Sequence, residues 1–411
     1  MINKQRGAIT LLVSSVILVV TLIFSLGSYK SIFYQIKRAQ NEIEARKGHW
    51  AAEGGVECAF TKASATGVVP SIPILECASL GLGNLDINRG VNYQIIAEKS
   101  NQVIKKTFSL GGDGNSGAMK SAADIYFYAS TTFSTPDPGS LATDGWECVA
   151  LRYKNRFESA ASPVNQGVIH GDKPFIAFDN KGYDCVNYPT DPHNSHLTNG
   201  IGKDFVRDET VNPFENLFGV KKEDHNTIRD NGIFQILDMN GQNTSQCGSK
   251  ITNVINSGTR HIWVEGSCEV TSSDYAALAN ASNLTDGVFI LVHDGVLSLM
   301  GSPSGSSPIK GLLFHFNTEL LLEADLSSWQ GMEAYTYLSH VPSIFPNDYL
   351  FSSSYYQHGA FTLSGGQIFD SVGQSALFYN SVNFKYNKDV IDSVFEGLIK
   401  PRWVKGSWHD F

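Results

Sequence analysis

Gly7-Ala-Ile-Thr-Leu-Leu-Val-Ser-Ser-Val-Ile-Leu-Val-Val-Thr-Leu-Ile-Phe-Ser-Leu-Gly-Ser-Tyr29 decides how this chain folds, because no charged residue interrupts it. At about 1.5 Å per helical residue, Ala8 to Tyr29 covers roughly 33 Å, enough for a bilayer hydrocarbon core of about 30 Å. The stretch reads as a transmembrane helix. Lys4 and Arg6 precede it with no acid nearby, which predicts a cytoplasmic N-terminus and an extracytoplasmic remainder. A cleaved secretory signal would have a shorter apolar core followed by a small-x-small site, whereas this run passes straight into Lys30. The small-residue junction lies before the core instead, at Gly7-Ala8.

Past Tyr29 the helical pattern continues to about Phe60. Ile32, Phe33, Ile36, Ala39, Ile43, Trp50 and Val56 recur at helical spacing among Lys37, Arg38, Glu42, Glu44, Arg46 and Lys47. The apolar side of this segment is expected to pack on a globular domain, with the other side left for neighbouring chains. Gly54-Gly55 is expected to weaken the last turns, and Pro70 and Pro73 exclude continuation.

The remaining composition is that of a folded protein. The chain has 411 residues, enough for a stalk and one or two globular units, and 42% hydrophobic residues give those units a core. The formal charge of −9, more negative still without Lys4 and Arg6, argues against a broad phosphate-binding surface. All six cysteines follow the span, and an even count in a compartment that permits oxidation reads as disulfides. Sequence-neighbour pairing closes the shortest loops: Cys58–Cys77, Cys148–Cys185 and Cys247–Cys268. No C-x-x-C spacing suggests a zinc site.

From Val91 the period changes to two. Tyr93 to Ala97 and Val103 to Leu110, joined through Lys99-Ser-Asn-Gln102, read as a hairpin, and Ile125-Tyr-Phe-Tyr128 and Cys148 to Tyr153 as further strands. Residues 155–231 are polar, turn-rich and irregular in pattern. After Gly258, short apolar pulses at Ile262-Trp-Val264, Val288 to Val292, Leu312 to Phe316, Ala334 to Leu338 and Ala360 to Leu363 follow glycines at intervals of 29, 24, 20 and 28 residues. Such intervals suit stacked units, as in a β-helix or β-roll; an antiparallel sandwich is the alternative. Asn387 is placed to cap a closing helix with Val390, Ile391, Val394, Phe395 and Leu398 on one face, stopped by Pro401. That helix is expected to seal an open end of the stack, and the aromatic tail Trp403 to Phe411 to pack against the fold.

Arg6-Gly7-Ala8-Ile9-Thr10-Leu11-Leu12, with Ile32, Gln35, Ala39, Ile43 and His49-Trp50-Ala51-Ala52-Glu53-Gly54-Gly55, resembles the N-terminal domain of the PilX type of minor type IV pilin. It is also similar to the K-type pseudopilins of type II secretion. Looser likenesses to large PilX-type proteins are Gly287 to Gly295, Gly311 to Phe316 and Phe378 to Tyr386. The resemblance implies an α+β fold divided into a prepilin leader at 1–7, a pilin helix at 8–60 with its span at 8–29, and a pilin-like β domain at 61–154. The residue patterns themselves add a disulfide-pinned excursion at 155–232 and a β-rich, repeat-like head with a C-terminal helix at 233–411.

By the same resemblance, a prepilin peptidase would cut after Gly7, and Ala8 would become the methylated first residue. The partners would be the major pilin, other minor pilins, the pilus assembly platform and the inner membrane. The protein would sit in the inner membrane with a periplasmic domain, then at the tip of an extracellular pilus. Leu12 departs from the pattern, since most type IV pilins carry a glutamate at this fifth mature position, thought to pair with the terminal amine of the subunit already in the filament. A subunit with no neighbour above it has no such amine, and a glutamate there would be a buried charge without a partner. Leu12 therefore fits a tip or initiating subunit.

No Walker A loop, H-E-x-x-H or G-x-S-x-G occurs, so the sequence nominates no catalytic residue and no cofactor, and a non-enzymatic, structural role is expected. Asp191, His193 and His196, or Asp113 and Asn115, are weak metal candidates beside the reading of solvated loops, and the reading adopted is that no metal is bound. Trp263, Trp329, Tyr355 and Tyr356 are candidates for stacking on sugars if the tip meets a surface receptor, against the ordinary reading of core aromatics. Lys400, Arg402 and Lys405 are the corresponding candidates for nucleic acid. A K-type pseudopilin and a tip adhesin are the alternatives to the pilus initiator.

Overall fold

The computed structural model describes residues 5–66, 69–89, 92–109, 117–128, 130–139, 141–143, 145–161, 163–168, 173–176, 178–179, 182, 185, 204–301, 307–323, 325–340, 344–399, 401–404, 406–407 and 409–410. The candidates Asp113, Asn115, Asp191, His193, His196, Lys400 and Lys405 lie outside them, as do Met1–Lys4 and Phe411. The fold is α+β, a long apolar N-terminal helix followed by sheets and shorter helices.

The first helix, α1 (Gln5–Thr66), is one uninterrupted element. Its last turns bury Ala52, Val56, Ala59 and Ala63, whose alternating spacing of four and three puts them on one face. That face meets an antiparallel sheet built from β1 (Asn84–Arg89), β2 (Tyr93–Lys99) and β3 (Gln102–Ser109). Ser100 and Asn101, at φ 48° and 66°, make the two-residue turn between β2 and β3. Gly54-Gly55 does not end the helix. A Cβ on Gly55 would stand 2.6 Å from a Leu82 methyl, and one on Gly48 would stand 2.8 Å from the Lys99 carbonyl oxygen, so these glycines let helix and sheet approach.

After β3 the chain leaves this sheet and winds through β4 (Met119–Ser121), β5 (Asp124–Tyr128) and β6 (Thr131–Phe133). A small hairpin of β7 (Leu141–Ala142) and β8 (Gly145–Trp146) precedes β9 (Leu151–Tyr153), β10 (Phe157–Ser159), β11 (Val164–Asn165) and β12 (Phe205–Arg207). Helices α2 (Pro213–Phe218) and α3 (Asn226–Arg229) lead to β13 (Gln235–Asp238), α4 (Cys247–Asn256), β14 (His261–Glu265), β15 (Cys268–Val270) and α5 (Ser272–Asn283). Next come β16 (Val288–His293), β17 (Leu297–Met300), β18 (Gly311–Phe316), α6 (Glu333–His340), α7 (Asn347–Leu350) and β19 (Ser353–His358). The chain ends with β20 (Gln367–Asp370), β21 (Ser375–Tyr379), β22 (Val382–Phe384), α8 (Lys388–Phe395), β23 (Arg402–Trp403) and β24 (His409–Asp410).

Strands β4 to β22, β7 and β8 apart, form three sheets in which every neighbouring pair is parallel. Their orders are β12-β9-β4-β20-β18-β16-β14-β13, β10-β5-β21-β19-β17-β15 and β11-β6-β22. These orders reveal how the chain winds. It starts in the middle at β4, proceeds to one end at β12, crosses to the far end at β13, and returns until β20 and β21 pair with β4 and β5. The crossing segment, with α2, lies on the outer face of the eight-stranded sheet, where Phe214, Leu217 and Phe234 pack with Trp263, Phe289 and Phe314. Asp370 fixes it by accepting bonds from the Phe214 N–H (2.8 Å) and from Lys222 Nζ (3.1 Å).

Several sequence expectations change here. The strands at Ile125 to Tyr128 and Cys148 to Tyr153 pair within the parallel sheets and not with the 93–109 hairpin, because their partners come from far along the chain. The hairpin sheet is completed instead by β23 and β24, both antiparallel to β3. Within the segment read as irregular, β10, β11 and β12 each join a sheet. Ala334 to Leu338 is helical, in α6, because the buried Glu269 carboxylate accepts the N–H groups of Glu333 (3.0 Å) and Ala334 (3.1 Å) at its N-terminus. Ala360 to Leu363 contributes only an isolated bridge, Ile309 to Leu363. The closing helix, capped by Asn387 as its sequence suggests, covers a sheet face and not an end: Val394 and Phe395 join the cluster around Phe289. It is α4 that packs against β13 and β15 at one end of the stack.

Candidate functional site

The surface most clearly built for something outside the chain is the N-terminal two thirds of α1. From Ile9 to Trp50 its large apolar side chains are exposed, and the helix is long and apolar enough to cross a membrane. Tyr29, Phe33 and Tyr34 mark where the uncharged run ends, with Lys37 Nζ 4.9 Å from the Phe33 ring centre and Lys30 Nζ 6.0 Å from that of Tyr34. Aromatic rings beside lysines are the side chains that settle at a membrane–water interface.

Beyond that collar the apolar residues keep a period of seven. Tyr29, Ile36, Ile43 and Trp50 are 70%, 51%, 53% and 68% exposed, with Ile32 and Ala39 between them also uncovered. A seven-residue apolar repeat keeps one seam facing a partner helix wound in a left-handed supercoil. This seam points away from the rest of the chain: Trp50 and Ala52 are two residues apart, about 200° around the helix, and Ala52 is fully buried against the sheet. The expectation that the apolar side running from Ile32 to Val56 packs on the chain's own globular part holds at Val56, which is buried, and is corrected for Ile32 to Trp50. Contact with the sheet begins at Gly48, and the apolar packing at Ala52. The signal was present in the sequence as the interval of seven.

Among the remaining candidates, Gly7, Ala8 and Leu12 are helical and exposed, at the start of the apolar run. Disulfides join Cys58 to Cys77, Cys148 to Cys185 and Cys247 to Cys268, with Cα atoms 5.9, 5.5 and 5.4 Å apart. The first ties α1 to the segment before β1, and the third ties α4 to β15. Trp263, Trp329, Tyr355 and Tyr356 are buried and unable to stack on a ligand. No group of three or more His, Cys, Asp or Glu side chains suited to a metal occurs among the described residues.

A polar junction that sequence reading missed fixes the head to the α1 sheet. The Tyr93 hydroxyl donates to the Asp392 carboxylate, which also receives Lys388 Nζ, and Lys388 Nζ lies 3.3 Å from the Tyr93 oxygen. Burial, then the Asp392 charge, pushes the Tyr93 phenol up, so it stays a donor. Nothing local in the sequence announces this pairing, since Tyr93 and Asp392 are far apart along the chain.

Histidines cluster where the crossing segment meets the eight-stranded sheet. His225 and His293 have ring centres 4.3 Å apart, and His293 Nε2 lies 3.0 Å from Asp294 Oδ2. Burial raises the Asp294 carboxyl, but hydrogen bonds from His293, Glu319 N–H and Thr318 bring it well below the ordinary range. His315 is fully buried, which pushes its imidazole down to about 4. Its Nε2 donates to the Gly295 carbonyl at 2.8 Å. The Thr318 hydroxyl completes the group, 3.0 Å from His293 Nε2 and donating to Asp294 Oδ2 at 2.7 Å, so that it ties the Asp294 turn to the segment after β18. Comparison with family models, with curated proteins and with solved structures found no match to this chain.

Proposed function

We propose that this chain is a minor type IV pilin of the PilX type that helps initiate pilus assembly and sits at or near the filament tip, in a structural and not catalytic role. The observation that carries the reading is α1: one helix whose membrane-length apolar run continues into an uncovered heptad seam on the side opposite its own sheet. A helix of that kind serves first as an anchor in the inner membrane and then as a packing rod among the helices of other minor pilins and the major pilin. Gly7-Ala8 is the junction for the prepilin peptidase, Ala8 the residue to be methylated, and Leu12 suits a subunit with no neighbour above it. The three disulfides support an oxidising compartment, hence a periplasmic and later extracellular head.

The head itself we read as a parallel β-helix wound in a permuted order, its last rung closing on its first. Its bulk supports a place at the end of a filament, because a shaft of packed pilins leaves little room for so large a domain. Deleting the chain and counting surface pili by electron microscopy tests the function. Pilus number falling at least tenfold and returning with the intact gene is the expected result. Normal pilus number would overturn it, and lost type II secretion with intact pili would assign the chain to a pseudopilus instead.

A further inference from the structure

The outer face of the six-stranded sheet carries an aromatic ladder that stops short. At the C-terminal ends of its strands the register places Met300 beside His358, His358 beside Tyr379, and Tyr379 beside Tyr128. The last two rings lie parallel, 5.8 Å apart with 15° between their planes, and His358 meets Tyr379 edge-on at 5.1 Å. In the next rung the position belongs to Ala160, whose N–H bonds the Phe127 carbonyl at 2.8 Å. Ala160 is exposed and has no ring to continue the ladder. Tyr128 is 40% exposed, backed on one face by Tyr379 and met edge-on by Phe345 at 6.3 Å, and among the described residues only the Ala160 methyl group stands in the next rung, where another ring would stack.

From this geometry we propose that Tyr128 is a stacking platform for one ring of a neutral or amino-sugar glycan. A pyranose presents a face of C–H groups that packs on an aromatic plane, and its hydroxyls need polar neighbours around that plane. The exposed Ser130 and Asn380 stand beside the platform, Asn380 N–H bonding the Tyr128 carbonyl at 3.2 Å. This polar rim does not suit a lipid or an apolar peptide. The chain's charge of −9, with Glu158 in the adjoining strand opposite Tyr126, argues against a nucleobase attached to phosphates. The pre-stacked pair fixes the Tyr128 ring before a ligand arrives, so little side-chain freedom is lost on binding. The site differs from the helix seam and does not depend on the pilus reading.

The test is binding of the detergent-solubilised full chain to a printed array of neutral, amino-sugar and sulfated glycans, with the same protein carrying single substitutions. Retention on neutral or amino-sugar glycans is expected, with an affinity loss of about tenfold in Tyr128→Ala, near-native affinity in Tyr128→Phe, and loss in Ala160→Trp, which would cover the open face. Circular dichroism identical to the parent shows that each variant is folded. Absence of retention on every neutral and amino-sugar glycan overturns the proposal. So does retention that Tyr128→Ala and Ala160→Trp leave unchanged, or retention on sulfated glycans alone. Self-association that Tyr128→Ala abolishes would give the patch to a second copy of the chain. Pilus counts in the Tyr128→Ala strain are expected to be normal, so failure here and failure of the pilus reading are distinguishable.

Discussion

The helix-and-sheet unit and the stacked head solve the same problem in opposite ways. In the stack, apolar faces are covered twice over: inside by side chains such as Phe127, Ile290 and Phe378, and outside by the crossing segment, α8 and the 317–352 insertion around Trp329 and Tyr349. In α1 the large apolar side chains from Ile9 to Trp50 stay exposed. Bare apolar surface of this extent marks where a molecule meets a membrane or another chain.

The largest expected effect breaks that contrast at the seam. Replacing Ile36 and Ile43 together by Asp puts two charges on the apolar stripe, and incorporation into pili is expected to fall by more than tenfold while the solubilised head melts at its usual temperature. Immunogold counting of the variant on sheared pili measures this, and undiminished incorporation would show that the stripe is not the contact.

A smaller effect concerns how closely neighbouring segments of the head approach. A Cβ on Gly295 would come within 2.2 Å of the Gly266 carbonyl carbon, where only backbone could give way. Gly295→Ala is expected to destabilise the head by about 3 kcal/mol, read from its thermal transition, with the α1 sheet less affected. Acid sharpens the comparison in the same direction. Unfolded His315 takes a proton near its ordinary value of 6.5, whereas burial holds the folded side chain at about 4. Head stability is thus full above 6.5 and declines as pH falls towards 4, losing about 2 kcal/mol from this residue by pH 5. His315→Gln is expected to flatten that slope. Burial lowers His225, His261 and His358 too, so some slope persists. Least of all, Arg46→Ala removes an exposed pair with Glu42 at 2.8 Å and is expected to change stability by less than about 0.5 kcal/mol.

What the sequence made legible follows from the range of the interactions involved. The membrane-length run, the 93–109 hairpin and the Asn387 cap depend on neighbours within a few residues, and period and turn chemistry record them. The pulses at 262–264, 288–292 and 312–316 appeared as strands for the same reason. Their pairing order did not, because β21 meets β5 across most of the head, and no local pattern encodes a chain that begins mid-stack and finishes against its own start. The apolar pulse at Ala334 to Leu338 does not announce its helix, which depends on Glu269, a carboxylate remote in sequence. Nothing near Tyr128 in the sequence singles it out among the aromatics, for a similar reason. Trp263 and Tyr355 are equally aromatic in sequence, and only the register shows which ring ends a ladder.

The most direct test of the account is mass determination of the N-terminal peptide of the protein isolated from its native host. A mature chain beginning at Ala8, its amine methylated, is the expected result, since the anchor must survive to serve as the rod. A chain beginning beyond Tyr29 would remove the span with its collar and contradict the assembly role given to α1.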